Sequence, residues 1–184
     1  MDNKLLSAKH VVLVDEEDNV LGIEDKLQAH NTNTKLHRGF SAFLFNQDKK
    51  LLIQKRATSK KTWGGFWSNS FCGHPQIDET YEQAVVRHAK FELGIDIRDI
   101  HFVSKYRYKF AASNIIENEI CPIYLVVSDD IVVINEDEVE EIKWLYWQDF
   151  LLYMKQYTEQ FTPWCIEESR LVASSRSLYQ SYRC

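Results

Sequence analysis

The sequence predicts one α/β or α+β domain, in which a mixed β-sheet is flanked by helices. Two observations support this fold class: runs of apolar and aromatic residues typical of strands occur along most of the chain, and few segments have a helical pattern. The 184 residues fit one domain with a sizeable core, and no linker, repeat or low-complexity segment divides them. We therefore expect a single domain over residues 1–184, with a core at roughly 35–165 on which N-terminal strands and a C-terminal helix pack.

Strands and loops are predicted for the first part of the chain. Residues 10–26 have the pattern of two short strands joined by an acidic turn, and residues 40–57 that of a hairpin. The polar segment 29–39 is rich in Asn and Thr, which predicts a loop. Residues 58–76 are rich in Gly and aromatic residues, and their pattern is too irregular for a regular element.

The clearest helix is predicted at residues 78–94. Asp78 can cap its start, acidic residues occupy its first turn, and Gly94 ends it. Further helices are predicted at 149–157 and 163–180. Strands are predicted at 95–97, 100–112, 115–127, 131–134 and 140–147.

Composition and charge argue against several classes of function. The formal net charge of −5 argues against a nucleic-acid partner and against an anionic membrane surface. No stretch approaches the roughly 20 apolar residues of a membrane span, and the N-terminus lacks the pattern of a signal peptide. The four cysteines match no zinc-finger or disulfide framework. We therefore expect a cytoplasmic protein with free thiols, which binds neither nucleic acid nor membrane.

Two glutamates occur close together in the predicted strand that contains IIENEICP. Side chains alternate along a strand, so Glu117 and Glu119 face the same side. Two carboxylates inside an apolar strand repel each other, and their burial requires a cation or a proton. On the strand alone, the favoured interpretation is an edge strand with both glutamates in water, since charged residues are seldom buried without a partner.

Three histidines could help to bind a cation next to these carboxylates. His30 and His37 bracket the polar loop, and His74 lies in the motif NSFCGHP. Three imidazoles and two carboxylates suit a divalent ion such as Mn, Fe, Co or Zn, and are too rich in nitrogen for calcium. Such a site would be nearly closed, and would hold a carboxylate in place rather than generate metal hydroxide. Each histidine alone is more often structural than a ligand.

Residues 73–95 match the Nudix box, Gly-x5-Glu-x7-Arg-Glu-apolar-x-Glu-Glu-x-Gly-apolar. The matching positions are Gly73, Glu79, Arg87, Ala89, Glu92, Gly94 and Ile95. Two acidic positions of the box hold His88 and Phe91 instead. The spacing predicts a Nudix-like architecture, whereas the missing carboxylates argue against the magnesium-dependent hydrolysis that the box supports.

Five segments distributed over most of the chain support a more specific resemblance. They are AHNTNTKLHRGFSAFLFN, SKKTWGGFWSNSFCGHP, FELG, IIENEICP and FTPW. These segments occur in the order, and nearly at the spacing, found in the type 1 isopentenyl-diphosphate isomerases, which are Nudix-superfamily enzymes. The chain therefore resembles this family. The resemblance implies interconversion of isopentenyl and dimethylallyl diphosphate, through a tertiary carbocation, in isoprenoid biosynthesis. We expect a monomer or weak homodimer that acts on this small diphosphate substrate.

The resemblance implies catalytic and metal-binding roles at matched positions. Cys72 and Glu119 would be the two proton-transfer groups, and Glu92 would bind Mg²⁺ shared with the diphosphate. A further divalent ion, Mn²⁺ or Zn²⁺, would be held by His30, His37, His74, Glu117 and Glu119. Gly73, between Cys72 and His74, is interpreted as allowing a tight turn of the backbone.

The resemblance also implies how the substrate is bound. Lys26, Arg56 and Lys60 would hold the diphosphate. Tyr108 would hydrogen-bond near Glu119, and Trp164 would face the isoprenoid carbons.

Other functions remain open from the sequence. A Nudix diphosphohydrolase acting on a nucleoside diphosphate derivative would need a fuller acidic cluster than residues 78–93 offer. A non-catalytic metal- or diphosphate-binding module explains the ligands but gives no role to Cys72. A cysteine hydrolase would need a histidine base for Cys72, and His74 is already assigned to the metal.

Overall fold

The computed structural model describes residues 9–97, 99–112 and 114–175, which form two β-sheets and four α-helices. The first sheet contains β1 (His10–Val14), β2 (Val20–Asp25), β3 (His37–Arg38), β9 (Arg107–Ala112) and β10 (Ile115–Ile120). The second contains β4 (Phe40–Phe45), β5 (Lys50–Arg56), β6 (Trp67–Ser68), β7 (Phe71–Gly73), β8 (Asp99–Ser104), β11 (Ile123–Val127) and β12 (Val139–Tyr146). The helices are α1 (Lys26–Ala29), α2 (Tyr81–Leu93), α3 (Trp147–Gln156) and α4 (Pro163–Ser174), with a 3₁₀ turn at Thr158–Gln160.

Both sheets are mixed. The first has the order β2-β1-β3-β10-β9, and β3 and β10 are parallel. The second has the order β12-β5-β4-β11-β8, with β6 paired to β5 and β7 paired to β4. Strands β4 and β11 are parallel, whereas β4 and β5 are antiparallel. The predicted fold class, a mixed sheet flanked by helices, is confirmed.

Helices cover both faces of the second sheet, and every residue of β4 is therefore buried. Phe43 and Phe45 pack in a core cluster with residues of α3 and α4, whereas Ala42 and Leu44 pack in a second cluster with residues of α2. This alternation is the period of two that a strand imposes on its side chains. The strands that form the site are therefore fixed between two packed layers.

Helix α2 differs from its prediction at the start and agrees at the end. Thr80, rather than Asp78, is the N-cap, and it forms a capping box with Gln83. Asp78 has a φ of 55°, so it lies in the turn before the helix. Gly94 follows the last helical residue with a φ of 70°, the left-handed conformation that glycine adopts without a steric penalty.

Two predicted strands are absent from the structure, at residues 95–97 and 131–134. In the second segment, the Val133 N–H donates to the Leu93 carbonyl at 2.9 Å. The Asn135 N–H donates to the Glu92 carbonyl, also at 2.9 Å. This apolar segment therefore satisfies carbonyl groups at the C-terminal end of α2 instead of pairing with a strand.

The segment 58–76, predicted to lack regular elements, contains the short strands β6 and β7. Gly73 belongs to β7, so its interpretation as a tight turn was wrong. The predicted helix at 163–180 forms as far as Ser174, and residues beyond 175 lie outside the described part of the chain. Among the described residues, the helices are all too short or too polar to cross a membrane.

Candidate active site

A cavity of about 670 Å³ is lined by residues of both sheets and of helices α1, α2 and α4. It brings together eleven of the twelve predicted site residues: Lys26, His30, Arg56, Lys60, Cys72, His74, Glu92, Tyr108, Glu117, Glu119 and Trp164. The twelfth, His37, is fully buried behind Glu119. Residues separated by more than 130 positions in the chain thus converge on one site.

The two glutamates of β10 are buried, at 8% exposure for Glu117 and 6% for Glu119. Strand β10 lies between β3 and β9, so it is not an edge strand. Glu119 is opposite His37 on one neighbour and opposite Tyr108 on the other. The interpretation of an edge strand with both glutamates in water was therefore wrong, since the pairing with β3 covers that edge.

Three imidazoles lie next to the carboxylates of Glu117 and Glu119. The Nε2 atoms of His37 and His74 lie 3.5 and 3.1 Å from Oε1 of Glu119. The Nε2 atom of His30 lies 3.3 Å from Oε2 of Glu117. The Nδ1 atoms of His30 and His37 contact the backbone carbonyls of residues 26 and 35 at 2.8 and 2.9 Å, which orients Nε2 towards the glutamates.

This arrangement fits a divalent metal ion. One ligand atom from each of His30, His37, His74 and Glu119 lies within 4.8 Å of all the others. The Nε2 atom of His37 is buried and has no hydrogen-bond partner, as expected for an atom placed to bind an ion. Glu117 lies at the margin of this group, where its carboxylate also accepts a hydrogen bond from Thr62 at 2.8 Å.

The pKa shifts of His74 and Glu119 also agree with a metal site. Burial lowers the pKa of His74 to about 3, so its imidazole is neutral, as a metal ligand must be. Burial tends to raise the pKa of Glu119, but the adjacent imidazoles of His37 and His74 hold that pKa well below the usual range. Glu119 is therefore a carboxylate held among imidazoles.

Cys72 reaches the cavity from the second sheet, whereas Glu119 reaches it from the first. The thiol is free and lies on β7, opposite Ser41 of β4. Burial raises the pKa of Cys72 to about 12, although the nearby Arg56 acts in the opposite direction. The site thus combines a neutral thiol with a carboxylate.

Cationic side chains also line the cavity. Lys26, Arg56 and Lys60 all line it, and Lys60 forms an ion pair with Glu138. Burial and the neighbouring Lys60 lower the pKa of Lys26. Glu92 accepts a hydrogen bond from Gln54 at 3.2 Å, and burial raises its pKa. Three cations and one buried carboxylate suit a diphosphate accompanied by a divalent ion.

Aromatic rings form the apolar part of the site. Trp164 is 3% exposed, and its indole N–H donates to Ser68 Oγ at 3.1 Å. Tyr108 stacks on Trp164 with ring centroids 6.2 Å apart, and Trp63 approaches it edge-on at 5.1 Å. The Arg56 guanidinium lies 5.3 Å from the centroid of the Trp164 ring. Tyr108 is opposite Glu119 in the sheet, but the hydrogen bonds found among the described residues include none from its hydroxyl.

Sequence reasoning missed two residues that shape the site. A Cβ atom on Gly39 would lie 1.8 Å from Oε2 of Glu119, so only glycine allows the carboxylate to pack there. A glycine just before a predicted strand is a signal for such close approach. Glu138 lines the cavity and pairs with Lys60, but the acidic run in which it occurs gives no local signal of this partner.

The class of protein follows from the fold and from a family comparison. Residues 35–165 match the NUDIX domain family. The protein DR0079 of Deinococcus radiodurans has a similar structure, with a TM-score of 0.68, 22% identity, and coverage of 95% of this chain and 99% of that one. At this identity the similarity supports the fold alone, and the fold is that of a Nudix domain.

Sequence relatives narrow the class to one family. The chain is 44% identical over 168 residues to an isopentenyl-diphosphate Delta-isomerase of Klebsiella pneumoniae, covering 89% of this chain and 90% of that protein. It is 39% identical over 166 residues to the isomerase of the same name from Salmonella paratyphi B, covering 89% and 92%. The chain belongs to the isopentenyl-diphosphate Delta-isomerase family of the Nudix superfamily.

Proposed function

We propose that Cys72 and Glu119 carry out the proton transfers by which this chain interconverts isopentenyl diphosphate and dimethylallyl diphosphate. The observation that supports this assignment most directly is that a thiol from one sheet and a carboxylate from the other line a single cavity. The same cavity is lined by the cationic side chains of Lys26, Arg56 and Lys60 and by the stacked rings of Tyr108 and Trp164. These match the charged and hydrocarbon parts of the substrate.

The reaction requires an acid and a base. A proton is added to the terminal alkene carbon, which leaves a tertiary carbocation, and a proton is removed from the carbon next to the oxygen-bearing carbon. In the direction of dimethylallyl diphosphate, the Cys72 thiol would donate the first proton and the Glu119 carboxylate would accept the second. The two groups lie in different sheets. This arrangement suits a reaction in which one proton is added and another removed on opposite sides of a flat alkene.

The aromatic residues would protect the carbocation from water and stabilise its charge. Trp164 offers the face of a buried ring, and Tyr108 and Trp63 pack against it. Contact between a cation and such a ring is worth roughly 0.5–2 kcal/mol. Because the hydrogen bond from the indole to Ser68 fixes the Trp164 ring, the ring is positioned before the substrate binds.

The diphosphate would bind to Lys26, Arg56 and Lys60, so that binding energy from a non-reacting group orients the small hydrocarbon part. Glu92 would hold Mg²⁺ with the diphosphate. The other divalent ion, Mn²⁺ or Zn²⁺, would be held by His30, His37, His74, Glu117 and Glu119. When bound, the ions neutralise the diphosphate and fix and polarise the Glu119 carboxylate.

The protein would act in the cytoplasm as a monomer or weak homodimer, with residues 1–184 forming one domain. The free thiols of Cys72, Cys121 and Cys165 agree with a reducing compartment. Sedimentation of the purified protein over a range of concentrations would measure the oligomeric state, and a tight oligomer would contradict this proposal.

The decisive experiment incubates the protein with Mg²⁺ and isopentenyl diphosphate and follows the alkene protons by NMR. We expect dimethylallyl diphosphate from the wild type and near-complete loss of turnover in Cys72→Ser. The matched control is Cys165→Ala, which removes a buried thiol away from the cavity. Turnover that survives in Cys72→Ser would contradict the role of Cys72, and release of phosphate without isomer would indicate a hydrolase.

A further inference from the structure

His88 is a buried histidine of the cavity to which the proposed reaction gives no role. It lies on α2 one helical turn before Glu92, and both side chains line the cavity. His88 is 2% exposed, and neither its Nδ1 nor its Nε2 atom has a hydrogen-bond partner. Buried polar atoms in folded proteins are nearly always paired. An imidazole that lines a cavity with both nitrogens unpaired therefore suggests that a bound ligand supplies the partner.

The ring position shows which nitrogen is available. A Cβ atom on Gly73 would lie 2.3 Å from Nε2 of His88, so this nitrogen is packed against the backbone of β7. Nδ1 lies instead 3.6 Å from Oε1 of Glu92. This separation is too long for a hydrogen bond. It is short enough for one ion, because metal–ligand distances of about 2.0–2.2 Å place two ligand atoms up to about 4 Å apart.

A purely structural histidine would explain the site less well. The ring edges of Phe40 and Phe91 pack against His88, with centroids 5.4 and 6.1 Å away. An apolar side chain would fit such surroundings without two unpartnered nitrogens.

We propose that Nδ1 of His88 and the carboxylate of Glu92 together bind the divalent ion that accompanies the diphosphate. Besides the Mg²⁺ that Glu92 and the diphosphate would hold, a site with an imidazole nitrogen accepts first-row transition ions such as Mn²⁺, Co²⁺ and Zn²⁺, which bind nitrogen ligands more readily than Mg²⁺ does. The inference rests on the proposed function in one respect, namely that the diphosphate occupies the part of the cavity next to Lys26, Arg56 and Lys60. Its oxygens would complete the coordination of the ion.

The test uses metal binding rather than turnover. The purified protein is first loaded with one equivalent of Zn²⁺ to fill the site of His30, His37 and His74, and then receives inorganic diphosphate and Mn²⁺. Pulsed EPR should detect ¹⁴N coupling from an imidazole bound directly to Mn²⁺ in the wild type and not in His88→Phe. Titration should show Mn²⁺ affinity falling at least about tenfold in this variant, with a smaller change for Mg²⁺.

Two further variants keep the test decisive. His101→Phe changes an exposed histidine of β8 and should leave the coupling and the affinity unchanged. His88→Gln replaces the ring with an amide, and should lose the ¹⁴N coupling even if His88→Phe fails to fold. Absence of ¹⁴N coupling in the wild type, or its persistence in both His88 variants, would overturn the inference.

The outcome also separates this inference from the proposed function. The NMR assay for dimethylallyl diphosphate is run on the same Zn²⁺-loaded proteins, with Mg²⁺ and without inorganic diphosphate or Mn²⁺. Turnover without ¹⁴N coupling would overturn the role of His88 and leave the isomerase assignment intact. Coupling without turnover would support His88 as a ligand and contradict the proposed catalytic assignment.

Discussion

The Nε2 atom of His74 lies 3.1 Å from Oε1 of Glu119, although the two residues belong to different parts of the fold. His74 directly follows β7 of the second sheet, whereas Glu119 lies on β10 of the first. An ion bound by both residues would therefore connect the two sheets. Metal binding should then stabilise the whole fold as well as position Glu119.

Removal of the metal should lower the thermal stability. A ligand present at 100 times its Kd stabilises the native state by about 2.7 kcal/mol, which corresponds to roughly 5–10 °C in Tm for a chain of this size. Calorimetry of chelator-treated and Zn²⁺-reloaded protein measures the difference. His74→Ala should lose most of this shift, and His101→Ala, at an exposed position, should retain it. An equal shift in both variants would place the stabilising ion elsewhere.

Lys60 pairs with Glu138 in the structure, so a diphosphate must compete with this carboxylate for the lysine. Lys60→Met should raise the KM for isopentenyl diphosphate by about 10–100-fold, the effect of one charge-assisted hydrogen bond of about 1.5–3 kcal/mol. Glu138→Gln should lower KM, because it frees Lys60 without removing a cation. Steady-state kinetics followed by NMR measure both constants.

A second ion pair provides the control for this prediction. Lys55 and Glu140 are joined at 2.7 Å outside the cavity. Lys55→Met and Glu140→Gln should both leave KM within about twofold of the wild type, since neither residue lines the cavity. A KM for Glu138→Gln above that of the wild type would show that Glu138 supports binding rather than competing with the diphosphate.

The pair of Glu79 and Arg87 should make stability depend on pH. Arg87 donates to the Glu79 carboxylate at 2.7 Å through Nε and again through Nη2, and to the His74 carbonyl at 3.0 Å. Burial tends to raise the pKa of Glu79, but the bonds from Arg87 lower it below its ordinary value of 4.5. The pair's contribution is therefore complete above pH 4.5 and is lost as the pH falls through the lower, native pKa.

Glu79→Gln tests this dependence. At pH 7 the variant should be less stable by about 1 kcal/mol, and the difference should shrink below about pH 4. Urea unfolding at several pH values measures it, with Glu136→Gln at an exposed position as the control. A difference that does not depend on pH would show that the Glu79 side chain contributes through packing instead of charge.

The sequence predicted which residues come together in the candidate site better than it predicted whether they are buried. His30, His37, His74 and Glu119 could be chosen because their motifs occur in one order along the chain. Whether Glu119 is buried depends on β3, which has only two residues and pairs with β10 across a long separation in sequence. No local pattern encodes such a pairing, so the interpretation of an edge strand was reasonable and wrong.

Local patterns also left secondary structure undetermined in two places. The apolar run 131–134 resembles a strand, but its backbone binds the end of α2, and apolar periodicity does not report the backbone's partner. At the start of α2, Asp78 was predicted to be the cap, whereas the N-cap in the structure is Thr80. Gln83, three residues after Thr80, completes a capping box and was the signal in the sequence for the correct cap.

Glu168 on α4 is a fully buried acid whose ionisation should cost stability. Ser41 Oγ donates to its Oε1 atom at 2.7 Å, while Oε2 has no partner. Burial raises the pKa of Glu168 well above its ordinary value of 4.5. Because the native pKa is the higher one, this residue's contribution to stability is greatest below pH 4.5 and decreases as the pH rises towards the native pKa.

Glu168→Gln removes the ionisable proton and keeps an oxygen that can accept the bond from Ser41. The variant should melt above the wild type at pH 8, by roughly 2–4 °C for each kcal/mol gained, and the advantage should disappear near pH 4.5. Thermal unfolding from pH 4.5 to 8 measures this trend. Glu167→Gln, its exposed neighbour, should show no such trend. A Glu168→Gln variant that melts below the wild type at pH 8 would show that the protonated acid makes a stabilising contact that the amide cannot replace.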